Sequence, residues 1–440
     1  MLQRRHLITA AGLAGLGACA TSTTPPNISG SALPARARVV VIGGGFGGAT
    51  AAKYLRLFSD HRVEVVLIEP DAAFISCPIS NLVLGGSRSL AELTVPYTRL
   101  QNAHGVRHVR DSVARIDAAS KQVVLASGPT IGYDKLIVSP GVDLNFSAID
   151  GLAAAHQAGI ALHAWKAGAE TDALRRQLVA MPDGGVYAIS IPEAPYRCPP
   201  GPYERASVIA AYFKANKPRS KVIVLDANPD VTSKPALFKK VWADDYAGLL
   251  EYRPLHKLQS VDGARRTLHF ELHDDLQADV INVLPPMRAG AIALQSGLAN
   301  VGTGAGSTNG PGGRWAGVDY QTFESTSHAD IHVIGDAVLA APAMPKSGHM
   351  ANNHAKVAAA AVIARLADWE IDPEPMLANT CYSFVDMQRV VHVASVHTYV
   401  AAEKTYKPVA GAGGLSAGPT LQEGQYAWHW ARTIWADMLA

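Results

Sequence analysis

Short apolar runs, each bounded by turn residues, recur along the chain. They are "ARVVVI" before a glycine cluster, "VEVVLIEP", "YDKLIVSPGV" (Tyr133–Val142), "GGVYAISI" (Gly184–Ile191), "SKVIVLDANP" and "ADIHVIGDAV" (Ala329–Val338). Continuous apolar runs of this length predict strands buried on both faces. Helix-like runs follow several of them, including the stretch after the glycine cluster, "ERASVIAAYFKA", and "SGHMANNHAKVAAAAVIARL". Alternation of this kind predicts an α/β fold with a parallel sheet. We expect two Rossmann-like domains and a small C-terminal α+β domain.

The first residues follow a different pattern. "MLQRRHLITAAGLAGLGACATSTTPP" has Arg4 and Arg5, a short apolar stretch from Leu7, then small residues. Residues 1–20 therefore read as an export signal, and the arginine pair points to the twin-arginine route. A general secretory signal with two chance arginines is the alternative. Two cleavage readings stand: "ACA" as a small-x-small site ending at Ala20, and "LGAC" as a lipoprotein box that would leave a lipid anchor at Cys19. The expected location is the periplasm, with a Ser/Thr/Pro-rich linker over 21–36.

Composition narrows the picture. The 440 residues, 48% hydrophobic and 17% charged, suffice for two or three domains. A formal net charge of +2 gives no electrostatic case for nucleic acid. No run of about 18 apolar residues follows the leader to cross a membrane. Without the leader, Cys77, Cys198 and Cys381 remain. An oxidising compartment permits a disulfide, and an odd count leaves one thiol needing its own explanation.

Gly43, Gly45 and Gly48 match G-x-G-x-x-G between a strand and a helix, and Glu69 ends the next strand about twenty residues on. Such glycines let the backbone approach a pyrophosphate at the helix N-terminus, and Glu69 would take ribose hydroxyls. With "YDKLIVSPGV" and "ADIHVIGDAV", this motif resembles the FAD signature of two-dinucleotide-domain flavoproteins. The resemblance implies FAD held at Gly43, Gly45, Phe46, Gly48, Glu69, Gly141, Gly335, Asp336 and Lys346, with Asp336 on the ribityl chain or pyrophosphate. A helix from about Ser347 would point its positive end at the flavin ring. The FAD domain is expected over 37–182 and 310–368, the second Rossmann-like domain over 183–309, and the C-terminal domain over 369–440.

Where family members using NAD(P)H carry a second glycine fingerprint, this chain has "PEAPYRCPPGPYERA". Gly201 stands alone there, and prolines remove amide donors that a phosphate would need. The second domain is expected not to bind NAD(P), so electrons must come from another donor.

The segment "CPPGPYERA" resembles the cysteine loop of the flavoprotein subunit of flavocytochrome c sulfide dehydrogenase. "NTCYSFV" (Asn379–Val385) is similar to that family's second cysteine segment, and "FISCPISNLVLGG" (Phe74–Gly86) to the one that carries its flavin. The resemblance implies a redox disulfide between Cys198 and Cys381, where a thiolate attacks one sulfur and releases the other. It implies a thioether from Cys77 to FAD. It makes Glu204 a candidate acid/base, beside a plainer reading as a carboxylate at a helix N-terminus. It further implies sulfide as substrate and a separate c-type cytochrome subunit as acceptor.

Other constellations carry less. His349 and His354, and His392 and His397, have spacings that read as structural, and no metal is expected. "VGTGAGSTNGPGGRWAGVD" (Val301–Asp319) reads as a flexible surface loop. The absence of C-x-x-C-H means no haem on this chain. The tail "EGQYAWHWARTIWADMLA" reads either as a membrane-surface helix or as a lid of aromatics. The resemblance supports the lid, with Trp430 nearest the flavin and membrane contact not expected. Two other functions stand beside sulfide dehydrogenation: sulfide:quinone oxidoreduction, and reactivation of a thiosulfate-oxidising complex.

Overall fold

The structure is a computed structural model that describes Leu33, residues 37–302 and residues 312–440. The export signal, Cys19 and nearly all of the linker lie outside the described residues.

Five parallel strands form the first sheet, in the order Ile331–Val333, Lys135–Val138, Arg38–Ile42, Glu64–Ile68, Arg107–Val109. Val39, Val40 and Val41 are fully buried, as the unbroken apolar run requires. The chain leaves this central strand through Gly43, at φ +92°, and enters the helix Phe46–Phe58. A side chain at Gly48 would run into the Gly43 carbonyl, so glycine there lets strand and helix close on each other. The helix Gly348–Ala367 packs on Phe46–Phe58, with small buried residues on both (Ala49, Ala52, Ala355, Ala359).

The second sheet is also parallel: Ala161–Leu162, Val280–Val283, Val186–Ile191, Lys221–Asp226, Leu250–Arg253. Its edge strand comes from Ala161–Leu162, so the second domain begins earlier than the expected boundary at 183. That two-residue strand is too short to leave a pattern in the sequence. Val142–Leu144 pairs antiparallel with Met287–Ala289 where the chain passes between the domains.

The loop expected over Val301–Asp319 is corrected in part. Trp315–Ala316 pairs antiparallel with Ala299–Val301, and Trp315 is buried. The surrounding glycines hide this core residue in the sequence; residues 303–311 lie outside the described residues.

Antiparallel strands Met376–Phe384, Val390–Val400 and Thr405–Pro408 form the C-terminal sheet. The helix Leu421–Leu439 follows, capped by Thr420, whose Oγ1 accepts from the Glu423 amide at 3.1 Å. Its last turn docks on the first domain. Asp437 accepts from Tyr54 Oη at 2.6 Å and from Asn352 Nδ2 at 2.8 Å, and pairs with Lys356 at 2.9 Å. The tail is thus packed on the flavin-type domain. No helix among the described residues is long and apolar enough to cross a membrane.

Candidate active site

A cavity of ≈ 320 Å³ collects walls from all three domains. Gly45, Phe46, Glu69, Cys77, Gly141, Gly335 and Asp336 line it from the first domain, Cys198 and Glu204 from the second, and Cys381 and Trp430 from the third. Three expected site residues do not reach it. Gly43 and Gly48 shape the turn beneath Gly45. Lys346 is buried, with its Nζ over the Trp315 ring at 3.6 Å and donating to the carbonyls of Asp336 and Val338. Burial lowers that ammonium to about 7. Through these bonds it orders the Asp336 segment.

The sulfur side of the cavity is built by the second junction loop. Cys198 adopts φ +59°, a left-handed conformation unusual for a side-chain-bearing residue. Its amide donates to the Lys346 carbonyl at 2.8 Å, and its carbonyl accepts from Gly201 at 2.9 Å. At Gly201, which starts the helix Gly201–Asn216, a Cβ would lie 2.7 Å from the Trp165 ring and 2.8 Å from Cys198 Sγ. Glycine there gives the thiol its place. Cys381 comes from the strand Met376–Phe384, and Asn379 Nδ2 donates to its Sγ at 3.4 Å. Cys77, Cys198 and Cys381 are all free thiols in this structure.

Burial dominates the electrostatics. It raises the Cys198 thiol, helped by Cys381 and Glu204 and opposed by Arg197 and Lys234. It raises Cys381 as well, opposed by Lys234 and by hydrogen bonds from Asn379 and Ser347. It pushes Glu204 up to about 7, against Lys234, Asn81 and the Phe384 backbone. Glu204 thus sits in the first turn of the helix with a proton affinity suited to neutral pH.

The opposite side fits a dinucleotide. A Cβ at Gly45 or at Gly141 would meet nothing within 4 Å, leaving the backbone open to a ligand. Glu69 Oε2 accepts from the Gly44 amide at 2.6 Å and Oε1 from Asp71 at 3.0 Å, which fixes the carboxylate at the cavity edge. Asp336 Oδ1 is buried without a partner, as a carboxylate waiting for hydroxyl donors would be. Helix Gly348–Ala367 starts at the cavity with Ser347 as its N-cap. Cys77 Sγ accepts from the Ala167 amide at 3.4 Å.

Some residues here have no sequence signal. His349, whose spacing reads as structural, lines the cavity, its Nδ1 bonded to the Thr380 amide at 3.0 Å and its ring edge-on to Trp430. Arg205 is buried in the cavity wall, donating to Asn81 Oδ1, Asn282 Oδ1 and the carbonyls of His163 and Ala164. Lys234 is buried beside Cys381. Conversely, the structure gathers His156, His163 and Glu170, with potential ligand atoms all within 4.8 Å of one another. His163 Nδ1 accepts from the Trp165 amide at 2.8 Å, so its proton sits on Nε2 and faces Glu170 at 2.9 Å. That is a hydrogen-bonded pair rather than a ligand set.

The second junction shows why a phosphate would find few donors. The amides of Arg197, Cys198 and Gly201 are already bonded, to Met287 Sδ, Lys346 O and Cys198 O, and Pro199, Pro200 and Pro202 have none.

Two parallel dinucleotide-type sheets closing on one cavity define a flavin-dependent oxidoreductase of the pyridine nucleotide–disulphide class, and that class's family model matches residues 37–180. The chain belongs to the family of the flavoprotein chains of flavocytochrome c sulfide dehydrogenase: that family's central model matches residues 171–285 and its flavin-binding model residues 373–439. The flavoprotein chain of sulfide dehydrogenase from Chlorobaculum thiosulfatiphilum is 61% identical over 46 residues, 10% of this chain and 94% of that sequence. The mitochondrial sulfide:quinone oxidoreductase of Mus musculus is 25% identical over 322 residues, 68% of this chain and 65% of that protein. The match thus falls just short of two thirds of the mouse protein's length. Among solved structures, the sulfide:quinone oxidoreductase of Aquifex aeolicus superposes with a TM-score of 0.71 at 16% identity, covering 91% of each chain. The FAD-binding domains are present, and the cavity is where they converge.

Proposed function

We propose that this chain oxidises sulfide at a Cys198–Cys381 disulfide, on FAD joined covalently to Cys77, and delivers electrons to a c-type cytochrome subunit in the periplasm. One observation carries the reading. Two thiols remote in sequence share a cavity with a carboxyl held near neutrality, opposite a dinucleotide cradle.

In the oxidised pair, hydrosulfide attacks one sulfur, which becomes a persulfide, and the other sulfur leaves as a thiolate. A second hydrosulfide lifts off the outer sulfur. Two hydrosulfides then yield one hydrogen disulfide anion, one proton and two electrons, held as the reduced cysteine pair. Glu204 is placed to hold the proton, because burial keeps its carboxyl near 7. Ser347 and Asn379 orient Cys381. FAD supplies the acceptor for two electrons. The engaged amides of the second junction support a donor other than NAD(P)H.

The similarity to sulfide:quinone oxidoreductases favours a second reading, in which a quinone takes the electrons. Steady-state assays with sulfide decide between them. Reduction of c-type cytochrome by the chain with its haem partner, with no turnover of a soluble quinone, supports the first. Quinone turnover without cytochrome reduction replaces it with the second.

A further inference from the structure

The helix Pro235–Asp245 is preceded by Lys234, which sits in the left-handed region at φ 56° and ψ 44°. A lysine before proline in that conformation is costly unless its surroundings impose it. Here they direct the side chain inward: Lys234 is 4% exposed. Its Nζ donates to Ser383 Oγ at 2.9 Å and to the Cys381 carbonyl at 3.3 Å, and lies 5.8 Å from the Phe238 ring. Both anchors lie on the strand that carries the Cys381 thiol. Among the described residues no carboxylate comes within 4 Å of this ammonium in an ion pair. A buried cation without a close counter-ion is expensive. The negative charges it can answer are those that arise around it.

The groups facing it are Cys381 on its own anchoring strand, Cys198 in the junction loop, Glu204 in the first turn of Gly201–Asn216, and Glu423 on the C-terminal helix. Arg197 acts on Cys198 from the junction loop, and Arg205 adds a further cation to the wall. Their arrangement is asymmetric. Lys234 is the foremost charge favouring a Cys381 thiolate, whereas at Cys198 the foremost charges are the opposing Cys381 and Glu204.

We propose that Lys234 is a positioning residue that places the negative charge of the opened cysteine pair on Cys381 rather than on Cys198. This rests on the reading of those cysteines as the reacting pair. When hydrosulfide opens the disulfide, one negative charge enters the cavity and one cysteine must carry it as leaving thiolate. A fixed ammonium on the Cys381 strand makes Cys381 the better leaving group and Cys198 the sulfur that takes the hydrosulfide.

The test needs no sulfide. The flavin-loaded full chain is reduced, freed of reductant and alkylated with iodoacetamide at pH 8, and each thiol is followed by peptide mass spectrometry. Below a thiol's midpoint its alkylation rate tracks its thiolate fraction, so a tenfold loss of thiolate is read as an about tenfold loss of rate. In the unmodified protein Cys381 reacts faster than Cys198. Lys234→Met slows Cys381 about tenfold while Cys198 changes less than about threefold, and Lys234→Arg restores Cys381. Ser383→Ala, which keeps the ammonium but frees it, slows Cys381 selectively to a lesser extent and serves if the methionine variant does not fold. Equal slowing of both thiols, or no slowing of Cys381, overturns the assignment. Failure of sulfide to bleach the flavin would instead overturn the proposed function and leave these alkylation rates standing.

Discussion

The amide of Cys198 donates to the carbonyl of Lys346 at 2.8 Å. One hydrogen bond thus ties the thiol loop of the second domain to the segment that leads into the Gly348–Ala367 helix of the first. The Cys198 loop and the cofactor cradle are held in register by backbone rather than by mobile side chains, which favours reaction between groups placed in advance.

Replacing either member of the cysteine pair would remove the proposed disulfide and with it the proposed step that accepts hydrosulfide. Cys198→Ser and Cys381→Ser are each expected to abolish rapid flavin bleaching by sulfide, not merely to weaken sulfide binding. Stopped-flow absorbance reads this. Bleaching at the unmodified rate in both variants would mean that sulfide reacts at the cofactor directly.

Cys77 lines the cavity as a free thiol, and its proposed thioether has a simple signature. Acid precipitation is expected to leave the yellow colour in the protein pellet, and Cys77→Ser to release it to the supernatant. FAD free in the supernatant of the unmodified protein refutes the bond.

Glu204 predicts a pH dependence of stability. Its native carboxyl stands at about 7 against an ordinary 4.5, so the folded state binds this proton more tightly than the unfolded chain. The contribution is full below pH 4.5 and is lost as pH rises through about 7. Relative to Glu204→Gln, the unmodified protein is expected to lose about 3 kcal/mol across that window. Urea midpoints measured from about pH 4.5 to about pH 8 check the slope, and parallel curves for the two proteins would sink it.

Gly201→Ala places a methyl group against the Trp165 ring and Cys198 Sγ. Flavin content is expected to be retained while sulfide-dependent bleaching slows by about tenfold to a hundredfold, the scale of a displacement near 1 Å at a reacting group. A rate within about twofold of the unmodified protein would show that the thiol has room to spare.

NADH and NADPH are expected to leave the flavin oxidised, since the junction amides that would bind their phosphates are engaged or missing. Anaerobic titration followed by absorbance measures it, and bleaching at micromolar NADH contradicts the reading.

The first glycine turn was legible because its cause is local: Gly43, Gly45 and Gly48 answer to the backbone of one strand and one helix. Cys198, Cys381 and Glu204 were legible through their sequence contexts, whose resemblance is specific. Lys234 and Arg205 were not. A lysine before proline reads as a helix start, and nothing in "TSKPAL" says that its ammonium turns into the core. Burial of a charge depends on partners over a hundred positions away, such as Ser383 for Lys234 and Asn81 for Arg205. Trp315 was hidden for a related reason: glycine density signals a loop, and only pairing with Ala299–Val301 reveals the anchor inside it.

The docking of Asp437 against Tyr54, Asn352 and Lys356 has a consequence for how the molecule comes into being. Trp430 and Cys381 lie in the chain after both dinucleotide domains. A nascent chain that has finished both dinucleotide domains still has an open-sided pocket with one cysteine of the pair. Closure of the pocket must wait for the C-terminal domain to be made, and a product truncated before Cys381 would keep the dinucleotide domains but lack one wall of the cavity.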